Sequence, residues 1–119
     1  MQNPELFQAG HFHFDPQDPI YQDHFPGSPV VPGSLIIDAF MTVARPALQG
    51  QGGCSVENFR FRQFIRPGRY AFRMQRKADG CMQCTLYAND RAVVTGTLRW
   101  QVPGSTFTVQ GLRAVSSEL

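Results

Sequence analysis

Apolar and polar positions alternate along most of this chain, and the alternation breaks in one place. Ala9–Phe14, AGHFHF, sets Phe12 and Phe14 on one face and His11 and His13 on the other, which predicts a first strand. Asp15–Gln22 carries Pro16 and Pro19 and reads as a loop. Ser55–Ile65 places apolar residues at Val56, Phe59, Phe61 and Ile65, with Asn58 among them, and predicts a second strand. Tyr70–Lys77 repeats the pattern with Tyr70, Phe72 and Met74. Cys81–Ala88 and Arg91–Val102 add two more strands. Arg66-Pro67-Gly68 is a turn, and Ala78-Asp79-Gly80 and Asn89-Asp90 are tight hairpin signals.

The break is Asp23–Arg45, DHFPGSPVVPGSLIIDAFMTVAR. Pro26, Gly27, Pro29, Pro32 and Gly33 remove amide donors or free the backbone at close intervals, so this part turns repeatedly. From Gly33 the breakers stop. Ser34, Leu35, Ile36, Ile37, Asp38, Ala39, Phe40, Met41 and Val43 predict a helix, with Gly33 or Ser34 near its start. Pro46 ends or kinks it, and Gly50, Gly52 and Gly53 terminate what is left. The helix is apolar nearly all round, and such helices are usually buried. Asp38 lies in its middle. A buried carboxylate without a partner is costly, so Asp38 is expected to have a partner or a purpose. His24, at the mouth of the turn-rich segment, is the obvious candidate, from the same subunit or a neighbouring one.

The order is strand, long loop, helix, then four strands joined mainly by short turns. That predicts an α+β domain, an antiparallel sheet wrapped around one central helix. A chain of 119 residues makes one domain, 1–119, with a core at about 10–102 and a tail at 103–119 after Pro103-Gly104-Ser105. At 42% hydrophobic and 17% charged it is globular rather than disordered. Ten phenylalanines suit a sheet closed on an apolar element or an acyl-binding tunnel. One sheet on one helix leaves edges that invite pairing.

Net charge is only +2, but seven of the eleven basic residues fall within Asn58–Ala78, which contains no acid. The cluster reads either as a solvated sheet face or as a docking patch for an acidic partner. No nucleic-acid motif accompanies it. The three cysteines, Cys54, Cys81 and Cys84, come without a secretory leader, so reduced thiols in the cytoplasm are expected. Cys81-Met-Gln-Cys84 matches a CxxC spacing, but positions three apart on a strand face opposite ways, and no second pair completes a zinc site. No metal, cofactor or membrane span is expected.

HFPGSPVVPGSLIIDA resembles the active-site signature of the bacterial β-hydroxyacyl-acyl-carrier-protein dehydratases, which have the hot-dog fold. His24, Phe25, Gly27, Pro29, Pro32, Gly33, Leu35, Asp38 and Ala39 fit it, and the acid follows the histidine at the family's spacing. FRQFIRPG, Phe61–Gly68, resembles the family's Phe-Arg to Pro-Gly strand and turn. The resemblance covers roughly residues 10 to 101. It implies a hot-dog dimer or trimer of dimers, with His24 of one subunit meeting Asp38 of the other. It also implies a substrate held on acyl carrier protein, which is acidic and favours the docking reading of Arg62, Arg66 and Arg69. Phe25, Val30, Pro32, Ser34 and Phe61 are the residues expected around that substrate. Asp rather than Glu at position 38 resembles the branch that also isomerises the product double bond.

The implied chemistry is dehydration of a β-hydroxyacyl thioester. His24 suits the base that takes the α-proton, since imidazole titrates near working pH. Asp38 suits the acid, or the holder of a water. The Gly33 N–H, at the helix start, suits the thioester oxygen. Two other hot-dog functions stay open: a thioesterase, which would not need His24, and a non-catalytic acyl-binding protein.

Overall fold

The computed structural model describes residues 5–23, 27, 29–48, 53–77 and 80–100. Strand β1, Glu5–Phe14, is followed by a one-turn helix α1, Ile20–Asp23, and then by the principal helix α2, Gly33–Ala44. A 3₁₀ turn, Arg45–Leu48, leads to β2, Cys54–Phe61, and then come β3, Gly68–Lys77, β4, Cys81–Ala88, and β5, Arg91–Trp100. The five strands form one sheet in the order β1-β3-β4-β5-β2, antiparallel throughout. The α+β reading holds. The short helix α1 replaces part of the expected loop. Its N-terminus is held by the Asp18 carboxylate, which accepts from the Ile20 N–H at 3.0 Å.

The turn chemistry explains the meander. Asn89 and Asp90 both have left-handed φ, 52° and 64°, as a two-residue type I′ hairpin requires. Ala88 pairs with Arg91 across it. Of the other predicted hairpin only Gly80, φ 72°, falls within the described residues. Gly50, Gly52 and the tail at 103–119 lie outside them.

Helix α2 fills the sheet. Ile36, Phe40 and Ala44 form its buried stripe, one residue per turn. They meet Phe12, Phe72, Met74, Met82, Leu86, Val94 and Leu98 from the inner faces of β1, β3, β4 and β5. Phe40, fully enclosed, stands edge-on to Phe12 at 5.0 Å and to Phe72 at 6.0 Å. Phe12 and Phe72 stack at 4.0 Å across the β1–β3 pair.

The expectation of a helix buried all round is corrected here. A single sheet covers one side of a helix, so Ser34, Asp38 and Thr42 are exposed, and Ile37 and Met41 are half-buried. Asp38 is therefore solvent-facing in the single chain.

Candidate active site

The site is built where the turn-rich segment enters α2. Val31 is buried, and its N–H donates to the Ile65 carbonyl at 2.9 Å, sewing the segment to the loop after β2. That loop is itself held by the Arg62 N–H donating to the Val93 carbonyl at 2.8 Å. Pro32, extended at φ −62°, ψ 145°, is the N-cap, and its ring leaves no donor there. Its carbonyl accepts from the Leu35 N–H at 3.0 Å and the Ile36 N–H at 3.3 Å. Among the described residues no side chain caps the helix. The first amides of α2, Gly33 and Ser34, thus lack an intrahelical acceptor at the positive end of the dipole. An oxyanion is the natural ligand for such a terminus.

Phe61 stands beside that terminus. A Cβ built on Gly33 would lie 3.0 to 3.4 Å from the tip of the Phe61 ring. The glycine is thus needed for close approach, not for a special φ. Two of the residues expected at the site, Gly33 and Phe61, thus lie together. Pro32 and Val30 flank them, half-buried, while Ser34 is exposed one residue into the helix.

Behind Phe61 lies an arrangement that the residue pattern did not predict. The β2–β5 register slips between Glu57 and Arg60, and Asn58 takes a left-handed φ of 54°. Phe59 and Phe61, two residues apart, share a face, and the extra residue of this β-bulge sets that face on the side of Val94, with the ring centroids 6.3 Å apart and planes inclined by 31°. Phe59 lies on Gly96 of β5, where an added Cβ would sit 2.3 Å from two ring atoms. The isolated glycine within VVTGTLRW of β5 was the available signal, since such a glycine marks a bulge or a close approach.

Asp38 sits one turn beyond Ser34 on the uncovered face of α2, and among the described residues its carboxylate takes no side-chain hydrogen bond. The Thr42 hydroxyl donates to the Asp38 backbone carbonyl at 2.9 Å. His24 and Phe25 lie outside the described residues, so the geometry of the expected histidine–acid pair is not among the observations.

Of the basic residues, Arg66 and Arg69 come together. They line a surface groove of about 500 Å³ with His11, Tyr70, Tyr87 and Asp90. The Arg66 carbonyl accepts from the Tyr70 hydroxyl at 2.7 Å, which fixes the turn. Arg62 is exposed and does not line the groove. Asp90 places an acid among these cations.

Cys84 is fully enclosed, and burial pushes its thiol up to about 12. Burial, then the Glu57 carboxylate, raises Cys54 as well. A thiol so held is a poor nucleophile and a poor metal ligand. Among the described residues no three His, Cys, Asp or Glu side chains converge on a point. Nor, among them, is any helix long and apolar enough to cross a membrane.

One helix laid in a five-stranded antiparallel sheet is the hot-dog arrangement. The fold matches that of a chain from the dehydratase heterocomplex ApeI:P of Xenorhabdus doucetiae, with a TM-score of 0.67 and 18% identity over 85% of this chain and 100% of that one. Residues 3–97 match the family model of the ApeI-like proteins, ApeI dehydratase, and the chain belongs to that family. Curated relatives are 3-hydroxyacyl-[acyl-carrier-protein] dehydratases named FabZ. The protein of Geobacter metallireducens is 31% identical over 94 residues, which is 71% of this chain and 62% of that protein. The protein of Lactobacillus helveticus is 29% identical over 96 residues, or 70% and 65%. That of Thermus thermophilus is 42% identical over 60 residues, or 43% and 42%. The chain thus spans less than two thirds of the length of these relatives.

Proposed function

We propose that this chain dehydrates a β-hydroxyacyl thioester, carried on acyl carrier protein, to the trans-2-enoyl thioester. The observation that carries the proposal is the uncapped amide end of α2, with Gly33 bare under Phe61, in a chain of the ApeI dehydratase family. His24 takes the α-proton as the electron pair of that C–H bond forms the Cα–Cβ double bond. The Cβ–O bond breaks, and Asp38 supplies the proton that lets the hydroxyl leave as water. The Gly33 N–H stabilises the negative charge gathering on the thioester oxygen. Ser34, Phe25, Val30 and Pro32 border the substrate. The resulting thioester stays on its carrier, with no cofactor consumed.

The same reading makes the site an interface. Asp38 is exposed and Ile37 half-buried on α2, and β2 is an edge strand bearing Val56 at 45% and Phe61 at 41% exposure. A second copy of the chain would cover both and bring its own His24 toward Asp38. A different subunit, as in the ApeI:P heterocomplex, is the competing occupant, and light scattering on the purified chain separates the two. Arg66 and Arg69, with the exposed Arg62 earlier in the same loop, suit the acidic carrier protein. Carrier-dependent chemistry of this kind belongs in the cytoplasm.

Hydration of an enoyl thioester, the reverse reaction, tests the proposal. His24→Ala and Asp38→Asn should each lower turnover by about 10²- to 10⁴-fold, the usual worth of one acid–base group, with the fold retained. Wild-type turnover in either variant refutes the roles. Thiol release from a saturated acyl thioester would point instead to a thioesterase. Reversing Arg66 and Arg69 to Glu should reduce kcat/KM on carrier-bound substrate more than on a small thioester, and equal losses remove the docking role.

A further inference from the structure

We propose that Phe59, seated on Gly96, is the floor of the acyl slot and sets how long a chain the site accepts. The inference rests on the dehydratase reading, because that reading places the thioester oxygen at the Gly33 amide. From that point the acyl chain has to leave along apolar surface. The first such surface is the Phe61 ring, whose tip approaches Gly33 to within 3.0 Å of a built Cβ. The next is Phe59, with its centroid 6.3 Å further on and its plane inclined by only 31° to that of Phe61. The two rings make a continuous wall from the helix terminus inward.

Phe59 ends that wall. Phe40 of α2 stands 6.2 Å from it on one side, and the bare backbone of Gly96 lies directly beneath. Phe40 itself is fully enclosed, and so are Val94 and Leu98 on either side of Gly96 in β5. Phe59 alone in this group is only partly buried: it packs against the core and leaves part of its ring accessible. Two unusual backbone choices hold it there. Asn58 adopts φ 54°, and Gly96 interrupts β5 where any side chain would overlap the ring. Filling a core needs neither, because an aliphatic residue at position 96 and a regular β2 would suffice. What the pair does provide is a flat aromatic stop at a fixed depth below the reacting carbon.

The stop predicts a length cut-off that moves when the ring is removed. Phe59→Ala uncovers the slot down to the β5 backbone. Gly96→Ala leaves no room for the ring and drives it up toward Phe61. In Phe59→Ala/Gly96→Ala the methyl occupies part of the vacated space.

Two measurements apply. One is calorimetric binding of unreactive S-alkyl pantetheine thioethers, from butyl to dodecyl. The other is kcat/KM for hydration of the matching trans-2-enoyl thioesters. The wild-type protein should favour the shorter members. Phe59→Ala should raise the long-to-short ratio by about tenfold or more in both measurements, which is the lower end of what a methylene confers in an apolar pocket. Gly96→Ala should weaken all lengths, and the double variant should recover short-chain binding while giving back part of the long-chain gain. Trp100 emission and circular dichroism confirm that each variant is folded. An unchanged length ratio in folded Phe59→Ala overturns the proposal. A shifted thioether profile in a protein that hydrates no enoyl thioester keeps the floor and removes the dehydratase reading.

Discussion

Phe40 is the residue through which α2 grips the sheet, and its replacement tests the fold most directly. The side chain is fully enclosed and meets Phe12 at 5.0 Å, Phe72 at 6.0 Å and Phe59 at 6.2 Å, the first two edge-on. Phe40→Ala removes a whole ring from a site walled by strands on one side, where collapse is restricted. The expected loss is about 4 kcal/mol, within the usual range for such truncations. Phe40→Leu keeps most of the volume and forfeits mainly the ring pairs, for about 1 to 2 kcal/mol. Domains of this kind are stable by only about 5 to 15 kcal/mol, so the alanine variant should survive with a much reduced margin. Trp100, the single tryptophan, is nearly buried at the far end of β5 and reports global unfolding. In urea at one fixed protein concentration, Phe40→Ala should lower the midpoint by about 2 M if the m-value is about 2 kcal/mol/M, and Phe40→Leu by less than half of that. A Phe40→Ala midpoint within about 0.3 M of wild type would mean that the helix is not anchored by this ring, and would refute the packing argument.

Three further outcomes follow from the Cys84 thiol and the β4–β5 turn. Cys84, with its thiol near 12, carries about one thiolate in ten thousand at pH 8, so a thiol reagent should modify it only after unfolding. Native-state labelling of Cys84, located by peptide mass, contradicts this. In the unfolded chain the same thiol ionises near its ordinary value of 9.0. The folded protein therefore holds the proton more tightly, and stability should fall as pH rises from about 9 to 12, by at most about 1.4 kcal/mol per pH unit for this group. Tyr21, raised by burial and by Asp18, acts in the same direction at the upper end of that window. Cys84→Ala should flatten the decline in urea titrations across that range, and an unchanged slope rules the thiol out as its cause. Asp90 occupies the second left-handed position of the β4–β5 turn at φ 64°. Asp90→Gly should raise stability by about 0.5 to 1 kcal/mol, and a loss in thermal unfolding would show that the carboxylate does more than turn the chain.

Much of the architecture was written in local chemistry. Five proline and glycine residues ahead of Ser34 and a proline at 46 bracket the helix, and its observed span, Gly33–Ala44, follows from them. β4 matches its predicted bounds, because Gly80 and Asn89-Asp90 punctuate both ends. Three features needed more than local signals. Sheet order was not legible, because the α2 crossover carries the chain from one edge, β1, to the other, β2, and only then do β3, β4 and β5 fill the interval. The exposure of Asp38 was not legible either. An apolar helix shows what it prefers to bury, not how many faces a single sheet can cover. The Asn58 bulge was hidden because Val56, Asn58, Phe59 and Phe61 are compatible with more than one register, and Val56, although paired with the buried Leu98, is 45% exposed at the sheet edge.

Gly33 shows why motif matching and geometry had to be joined. Read as sequence, it is a helix-start glycine, and its conformation would allow alanine, which favours helices by about 1 kcal/mol in helix interiors. Read as structure, its missing Cβ is the space taken by the tip of Phe61, 3.0 Å from where that carbon would be. The two readings predict opposite results. If Gly33 only starts the helix, Gly33→Ala should leave turnover intact and raise the melting temperature slightly. If it keeps the amide end open beneath the ring, the methyl displaces Phe61 into the path of the thioester, and kcat/KM should drop while the helix content stays the same. Phe61→Leu shortens the side chain at the point of contact, so adding it to Gly33→Ala should restore part of the loss. A Gly33→Ala protein with full activity, or one whose defect Phe61→Leu does not relieve, would break the link between the ring and the amide on which the site is built.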